Sequence, residues 1–264
     1  MTKEDVEIYK QQAAERAADF VTSGTVIGLG TGSTAQYVLE AIARRLRAGE
    51  LEGLEGVPTS AQTEHLARKL GIPLTTLDER PVIDLTIDGA DEVDDALNLI
   101  KGGGGALLRE KVVAQASRRY MIVVDDGKCS PRVGTRWALP VEVIPMAQGS
   151  ESNFLKSLGA RVTVRVGSDG VPVNTDNGNI ILDADFGPIA DPKTLDRKLD
   201  ARAGIMAHGL FLELTTDLIV AGKEGVRHLK PKPEPHNPDI APNGEAHGQG
   251  ILRRSRREPT ASLE

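Results

Sequence analysis

Apolar residues recur at helical spacing through residues 3–22, where Val6, Tyr9, Ala13, Ala17 and Phe20 share one face, and Gly24 ends the pattern. The run Thr25–Leu29 then predicts a buried strand. A helix that Ser33 or Thr34 can open follows it to Arg47, stopping near Gly49. A third helix is predicted from Ser60 to Leu70, closed by Gly71 and Pro73, with a short extended piece at 74–76. Further strands are predicted at Val82–Ile87, Leu97–Ile100 and Tyr120–Val124, the last preceded by a helix over Ala106–Ser117. This alternation predicts an α/β fold, with a mostly parallel sheet carrying helices on both faces. Ligands of such sheets bind beyond the carboxyl ends of the strands.

From Trp137 the rhythm changes. A strand at Leu139–Ile144, a helix at Ser150–Leu158, a strand at Arg161–Val166, a hairpin turned by Asp176-Asn-Gly178 and a helix at Pro192–Ala201 predict a small α+β unit. Thr215–Val220 and Val226–Leu229 read as strands returning to the main sheet. The expected organisation is therefore a first domain over 1–136 completed by 207–230, a second over 137–206, and a tail over 231–264. Six prolines and no aromatic residue leave that tail too little apolar surface to offset ordering entropy, so it is expected to be disordered.

Composition narrows the function classes. A net charge of −6 argues against general affinity for nucleic acid or an anionic membrane, so an anionic ligand would have to be met by local cations. The single Cys129 excludes an internal disulfide framework and a cysteine zinc site, which suits a reducing cytoplasm. The charged N-terminus shows no signal peptide, and no apolar run approaches a membrane span.

Three segments follow predicted strands and carry chemistry. In Gly28-Leu-Gly-Thr-Gly-Ser-Thr34 the P-loop ending is absent, and Ser33 stands where a dinucleotide fingerprint needs its third glycine. A tight turn before a helix remains, whose free amides, with Thr31, Ser33 and Thr34, suit a phosphate monoester or simply a capped turn. Asp88-Gly-Ala-Asp-Glu92 offers Asp88 and Asp91 to sugar hydroxyls. Its spacing lacks the calcium-loop pattern, and Glu92, Asp94 and Asp95 read as a solvated acidic turn. Lys101 precedes four glycines, an entropic cost explained if backbone must approach a ligand or adopt positive φ. Glu110 lies on the next helix with Leu107 and Val113, where partial burial would raise its pKa and make it a better base. The five histidines show no paired metal-ligand spacing.

These segments, with Leu-Pro-Val-Glu-Val-Ile-Pro-Met146, Thr175-Asp-Asn-Gly-Asn-Ile-Ile-Leu-Asp183 and His-Gly-Leu-Phe211, closely resemble the type A ribose-5-phosphate isomerase family from about Lys10 to Leu229. The resemblance implies a Rossmann-like catalytic domain with a ferredoxin-like lid, and interconversion of D-ribose 5-phosphate and D-ribulose 5-phosphate through a cis-enediolate. It implies no metal or other cofactor, a sugar phosphate as the small-molecule partner, and a homodimer or homotetramer in the cytoplasm. Carried over residue by residue, it implies that Thr31, Gly32, Ser33 and Thr34, then Asp88, Gly89, Ala90 and Asp91, then Lys101, Gly102, Gly103 and Gly104 bind substrate. Glu110 matches the proton acceptor, Lys128 a further substrate-binding lysine, and Lys10 a basic residue near the phosphate. Lys101 and Asp91 would stabilise or reprotonate the oxyanion, and Asp88 would open the furanose ring. Gly105, where the family commonly has alanine, is expected to matter little. Two rivals use parts of this set. A sugar-phosphate sensor leaves Glu110 and Lys101 without a task, and a CoA-transferase-like acyl carrier leaves the Asp88/Asp91 pair without one.

Overall fold

The computed structural model describes residues 2–231. Apart from Pro231, the tail read from the sequence lies outside the described residues. The first half alternates as α1 (Lys3–Ala18), β1 (Val26–Leu29), α2 (Ser33–Arg47), β2 (Glu55–Pro58), α3 (Ala61–Leu70), β3 (Leu85–Asp88), β4 (Glu92–Val93), β5 (Leu99–Ile100), α4 (Leu107–Gln115) and β6 (Tyr120–Asp125). Then come β7 (Leu139–Val143), α5 (Gln148–Ser157), β8 (Arg161–Val164), β9 (Ile180–Asp185), α6 (Pro192–Asp200), β10 (Ile205–His208), β11 (Leu210–Phe211), β12 (Asp217–Gly222) and β13 (Gly225–Leu229).

Six strands form the main sheet in the order β13-β12-β6-β3-β1-β2, parallel except for the antiparallel edge strand β13. The uninterrupted apolar run of β6 shows why helices must cover both faces. Met121 and Val123 pack with Ala13, Ala17, Val38 and Ile42 of α1 and α2, whereas Tyr120, Ile122 and Val124 pack on the other side with Ala114 of α4 and Phe211. Strand β2, absent from the sequence expectation, pairs with β1. Its Glu-Gly-Val-Pro composition carries little strand propensity, so its neighbour in the sheet decides its conformation.

The piece at Leu97–Ile100 does not enter the main sheet. Strand β5 pairs antiparallel with β4 and β11 in a separate three-stranded sheet, which carries Lys101 to the mouth of the main sheet. The second half builds a four-stranded antiparallel sheet, β10-β7-β9-β8, with α5 and α6. Strand β10 pairs with β7, so this sheet runs across the boundary expected between residues 206 and 207. Two motifs from the sequence meet here. Glu142 of β7, wholly buried, accepts hydrogen bonds from Thr175 Oγ1 (2.8 Å) and Asn179 Nδ2 (2.9 Å) of the hairpin. Among the described residues no helix is long and apolar enough to cross a membrane.

The two-sided burial sets an expectation for stability. Ile219→Ala, at a fully buried position between α1 and the sheet, is expected to cost about 2–5 kcal/mol in chemical denaturation. Val226→Ala, on the edge strand and 40% exposed, is expected to cost under about 0.5 kcal/mol.

Candidate active site

The carboxyl ends of β1 and β3, the glycine segment after β5 and the start of α4 surround a cavity of about 480 Å³. Of the residues expected to bind or act, Lys10, Thr31, Gly32, Ser33, Thr34, Gly89, Ala90, Asp91, Lys101, Gly102, Gly103, Gly104, Glu110 and Lys128 all line it. Segments far apart in sequence thus converge, as parallel-sheet topology requires of turns at the same edge.

At its centre is a buried cation. Lys101, 2% exposed, places Nζ 3.0 Å from Asp88 Oδ2 and 3.4 Å from Glu110 Oε1, and donates to the carbonyl of Gly89 at 2.5 Å. The Phe211 ring centroid lies 5.6 Å from the same nitrogen. Burial alone would depress the ammonium pKa. The Asp88 and Glu110 carboxylates outweigh that penalty and hold it above the ordinary lysine value, so the group stays charged.

Glu110 has the opposite balance. Burial raises its pKa from 4.5 to about 8; Lys101 pulls it down, while Asp88 and Asp91 push it up further. Its Oε2 is buried without a hydrogen-bond partner. This is a carboxyl that gains and loses its proton near neutral pH and whose second oxygen is unspoken for, the condition required of a proton shuttle.

Asp88 is wholly buried and does not line the cavity. Its Oδ1 accepts from the amides of Thr31 (3.1 Å) and Gly89 (2.8 Å), while Oδ2 faces Lys101. The side chain expected to open the sugar ring therefore has no surface for a sugar to touch. Asp91 does line the cavity, and its Oδ2 accepts from Gly103 N–H at 2.6 Å. A Cβ on Gly103 would sit 2.5 Å from Asp91 Oδ1, and Gly102 has φ of 100°, so both glycines are needed as glycine. Gly105 also has positive φ, 82°, so it relieves strain that an alanine would carry.

Gly32 is the N-cap of α2 without a side-chain cap, leaving the first amides of the helix for a ligand. The Thr31 hydroxyl is used otherwise than expected. It contacts the hydroxyls of Thr59 (2.7 Å), Ser60 (2.9 Å) and Thr63 (3.0 Å), which commits its one proton beneath the turn.

The sequence reading missed two residues. Arg136 lines the cavity beside Lys128 and donates to Gly127 O at 3.0 Å, adding a fourth cation to Lys10, Lys101 and Lys128. Glu92, read as part of a solvated turn, is wholly buried. Its Oε1 accepts from Ser130 Oγ and the amides of Thr135 and Arg136, and its Oε2 from the amides of Gly134 and Trp137. One carboxylate thus folds the loop that presents Arg136 and places Trp137, 5.3 Å from Lys128 Nζ, under that lysine. No local signal marked it: alternation in an extended segment puts Glu92 on the face opposite Val93, and its partners lie about forty residues away.

One group with metal-ligand geometry occurs among the described residues: Asp196, Asp200 and His208, whose ligand atoms lie within 4.8 Å of one another. It sits on α6 and β10, apart from the lining of this cavity. Tertiary contact assembles it, which is why histidine spacing showed no trace of it.

The family description "Ribose 5-phosphate isomerase A (phosphoriboisomerase A)" matches residues 55–225. The chain belongs to the ribose 5-phosphate isomerase A family. Its members interconvert ribose 5-phosphate and ribulose 5-phosphate in the pentose phosphate pathway, and the chain is accordingly an aldose–ketose isomerase. It is 56% identical over 230 residues to ribose-5-phosphate isomerase A of Desulfatibacillum aliphaticivorans, covering 87% of this chain and 99% of that relative. The ribose 5-phosphate isomerase structure from Plasmodium falciparum superposes with a TM-score of 0.82 at 40% identity, covering 85% of this chain and 98% of the other. A D-ribose-5-phosphate isomerase structure in complex with phospho-erythronic acid gives a TM-score of 0.84 at 39% identity, covering 85% and 99%.

Glu92→Ala would leave four amides and a hydroxyl without their acceptor. It is expected to lower stability by at least about 3 kcal/mol in urea titration, and Glu92→Gln, which turns an NH₂ toward those donors, by nearly as much.

Proposed function

We propose that this chain carries out the family's isomerisation with Glu110 as the base that moves the proton between C2 and C1 of the open-chain sugar. The observation that carries this reading is the raised pKa of a buried carboxyl with one oxygen unpartnered, against a buried ammonium. The base takes the C2 proton, a cis-enediolate forms, a proton passes from O2 to O1, and the same group returns its proton at C1, so that the C1 carbonyl becomes a hydroxyl and the C2 hydroxyl a carbonyl. Lys101 Nζ, kept charged by Asp88, stabilises the oxyanion as it develops. Asp91, on the cavity wall, is the carboxylate that meets the sugar hydroxyls directly. Asp88 contributes to ring opening only through Lys101, 3.0 Å away.

The phosphate is assigned to the start of α2, with Ser33 and Thr34, and to Lys10 and Lys128, which with Arg136 supply cationic charge that the chain as a whole lacks. Residues 137–206 are read as the lid domain over the catalytic domain formed by 1–136 and 207–230. The assembly is taken as a homodimer or homotetramer in the cytoplasm, as the family resemblance implies. Sedimentation equilibrium checks the assembly by returning the mass of two or four chains.

Glu110→Gln is expected to keep substrate affinity within a few-fold and to lower kcat by about 10²–10⁴. The base form is lost as pH falls through a raised pKa. Wild-type kcat/KM should therefore rise with pH through about 8, and the variant's residual activity should lack that limb. Deuterium incorporation at C2 from solvent reads the proton transfer itself; near-normal exchange in Glu110→Gln would place the base elsewhere.

Exhaustive chelation is expected to leave the isomerisation rate unchanged, because Lys101 already supplies the positive charge beside the reacting atoms. Loss of rate restored by magnesium or manganese would make the Asp88–Asp91 segment a metal site instead.

A further inference from the structure

A side chain of the second sheet grips the glycine segment of the active site from behind. Arg165 follows β8, and its backbone is fixed on both sides: its amide donates to Ile181 O at 2.9 Å and its carbonyl accepts from Val173 N–H at 3.0 Å. Its guanidinium is divided between two tasks. Nε donates to Asp183 Oδ2 at 2.9 Å and Nη2 donates to Asp183 Oδ1, a bidentate pair with β9. Nη1 donates to Gly102 O at 2.7 Å and to Gly103 O at 3.1 Å. The Arg165 side chain is 16% exposed and that of Asp183 23%, so solvent competes little for these bonds.

Peptide planarity determines what this clamp does. In a trans peptide the C=O and the following N–H point in opposite directions. Holding Gly102 O toward Arg165 therefore turns Gly103 N–H the other way, where it donates to Asp91 Oδ2 at 2.6 Å. Holding Gly103 O likewise turns Gly104 N–H away from Arg165, on a residue that lines the cavity. Glycines have the least intrinsic preference for one orientation, so a run of four needs an outside constraint to present its amides in one direction.

We propose that Arg165, held by Asp183, is a positioning residue for the isomerisation: it fixes the two peptide groups after Lys101 so that Asp91 and the Gly104 amide are preset against the reacting end of the sugar. This rests on the reading of residues 101–104 as the segment that meets the sugar. Arg165 is absent from the cavity lining, so its effect passes through the glycine segment alone.

The test uses the full chain carrying Arg165→Met. It measures kcat and KM for ribose 5-phosphate, inhibition by inorganic phosphate and by phospho-erythronic acid, and amide hydrogen exchange over residues 101–107. The expected result is faster exchange in that segment, a fall in kcat on the order of 10–10²-fold, and about tenfold weaker inhibition by phospho-erythronic acid. Inhibition by inorganic phosphate, which reports only the phosphate subsite, should stay within about twofold. Unchanged exchange with unchanged kcat would overturn the clamp itself. Faster exchange with unchanged kcat would also overturn the proposal, and would locate the error in the reading of 101–104 as a sugar-binding segment. Equal weakening of both inhibitors would make Arg165 a general structural residue and not a positioning one. Should Arg165→Met fail to fold, Asp183→Asn, which keeps the arginine but releases its anchor, is read in the same assays against the same outcomes.

Discussion

An ammonium group removed from water is stable only where carboxylates and carbonyls replace its hydration, and Lys101 sets that requirement for the whole site. Asp88 at the end of β3, Glu110 on α4 and Gly89 O meet it from three directions. The Lys101 amide donates to Gly209 O at 2.9 Å, and Phe211, two residues on, lies against Nζ. The main sheet, the three-stranded sheet and the segment returning from the second sheet are therefore registered on one charge. Removing Asp88 would leave the ammonium without its nearest countercharge.

That arrangement separates the roles of two neighbouring carboxyls without any difference in residue chemistry. Asp88 receives two amide hydrogen bonds and the ammonium, so its negative charge is fully met. Glu110 has the ammonium at longer range and an oxygen with no partner, so burial dominates. One group is an anchor and the other an exchangeable proton site, a division set by hydrogen-bond supply. The glycine segment between them gives close backbone approach to Asp91, and the second sheet restrains it through Arg165.

Much of this was legible in the chain because it is local. Period-3.6 and continuous apolar runs located α1, α2, α3, α4 and β6, and capping chemistry marked Ser60 and Gly71 at the ends of α3. The three cavity-lining segments stood out since glycine runs and paired aspartates after strands are costly without a ligand. What escaped depends on distant partners. Strand β2 has no propensity of its own, Glu92 finds its five donors at residues 130–137, and the Thr31 hydroxyl is consumed by residues 59–63. Asp88, offered by its sequence to a sugar, is instead buried beneath Lys101. In each case a tertiary neighbour, and not the local pattern, decides the outcome.

Glu110 also ties the folded state to proton concentration. Its pKa is near 4.5 when the chain is unfolded and about 8 when folded, so between those values the native protein holds a proton that the unfolded chain has released. The sign follows from linkage: where the native state binds more protons, stability declines as pH rises. This one group therefore weakens the fold progressively as pH rises across that window. A buried carboxyl with so raised a pKa is thus a standing load on the fold, heaviest under the alkaline conditions in which its ionised form is most abundant.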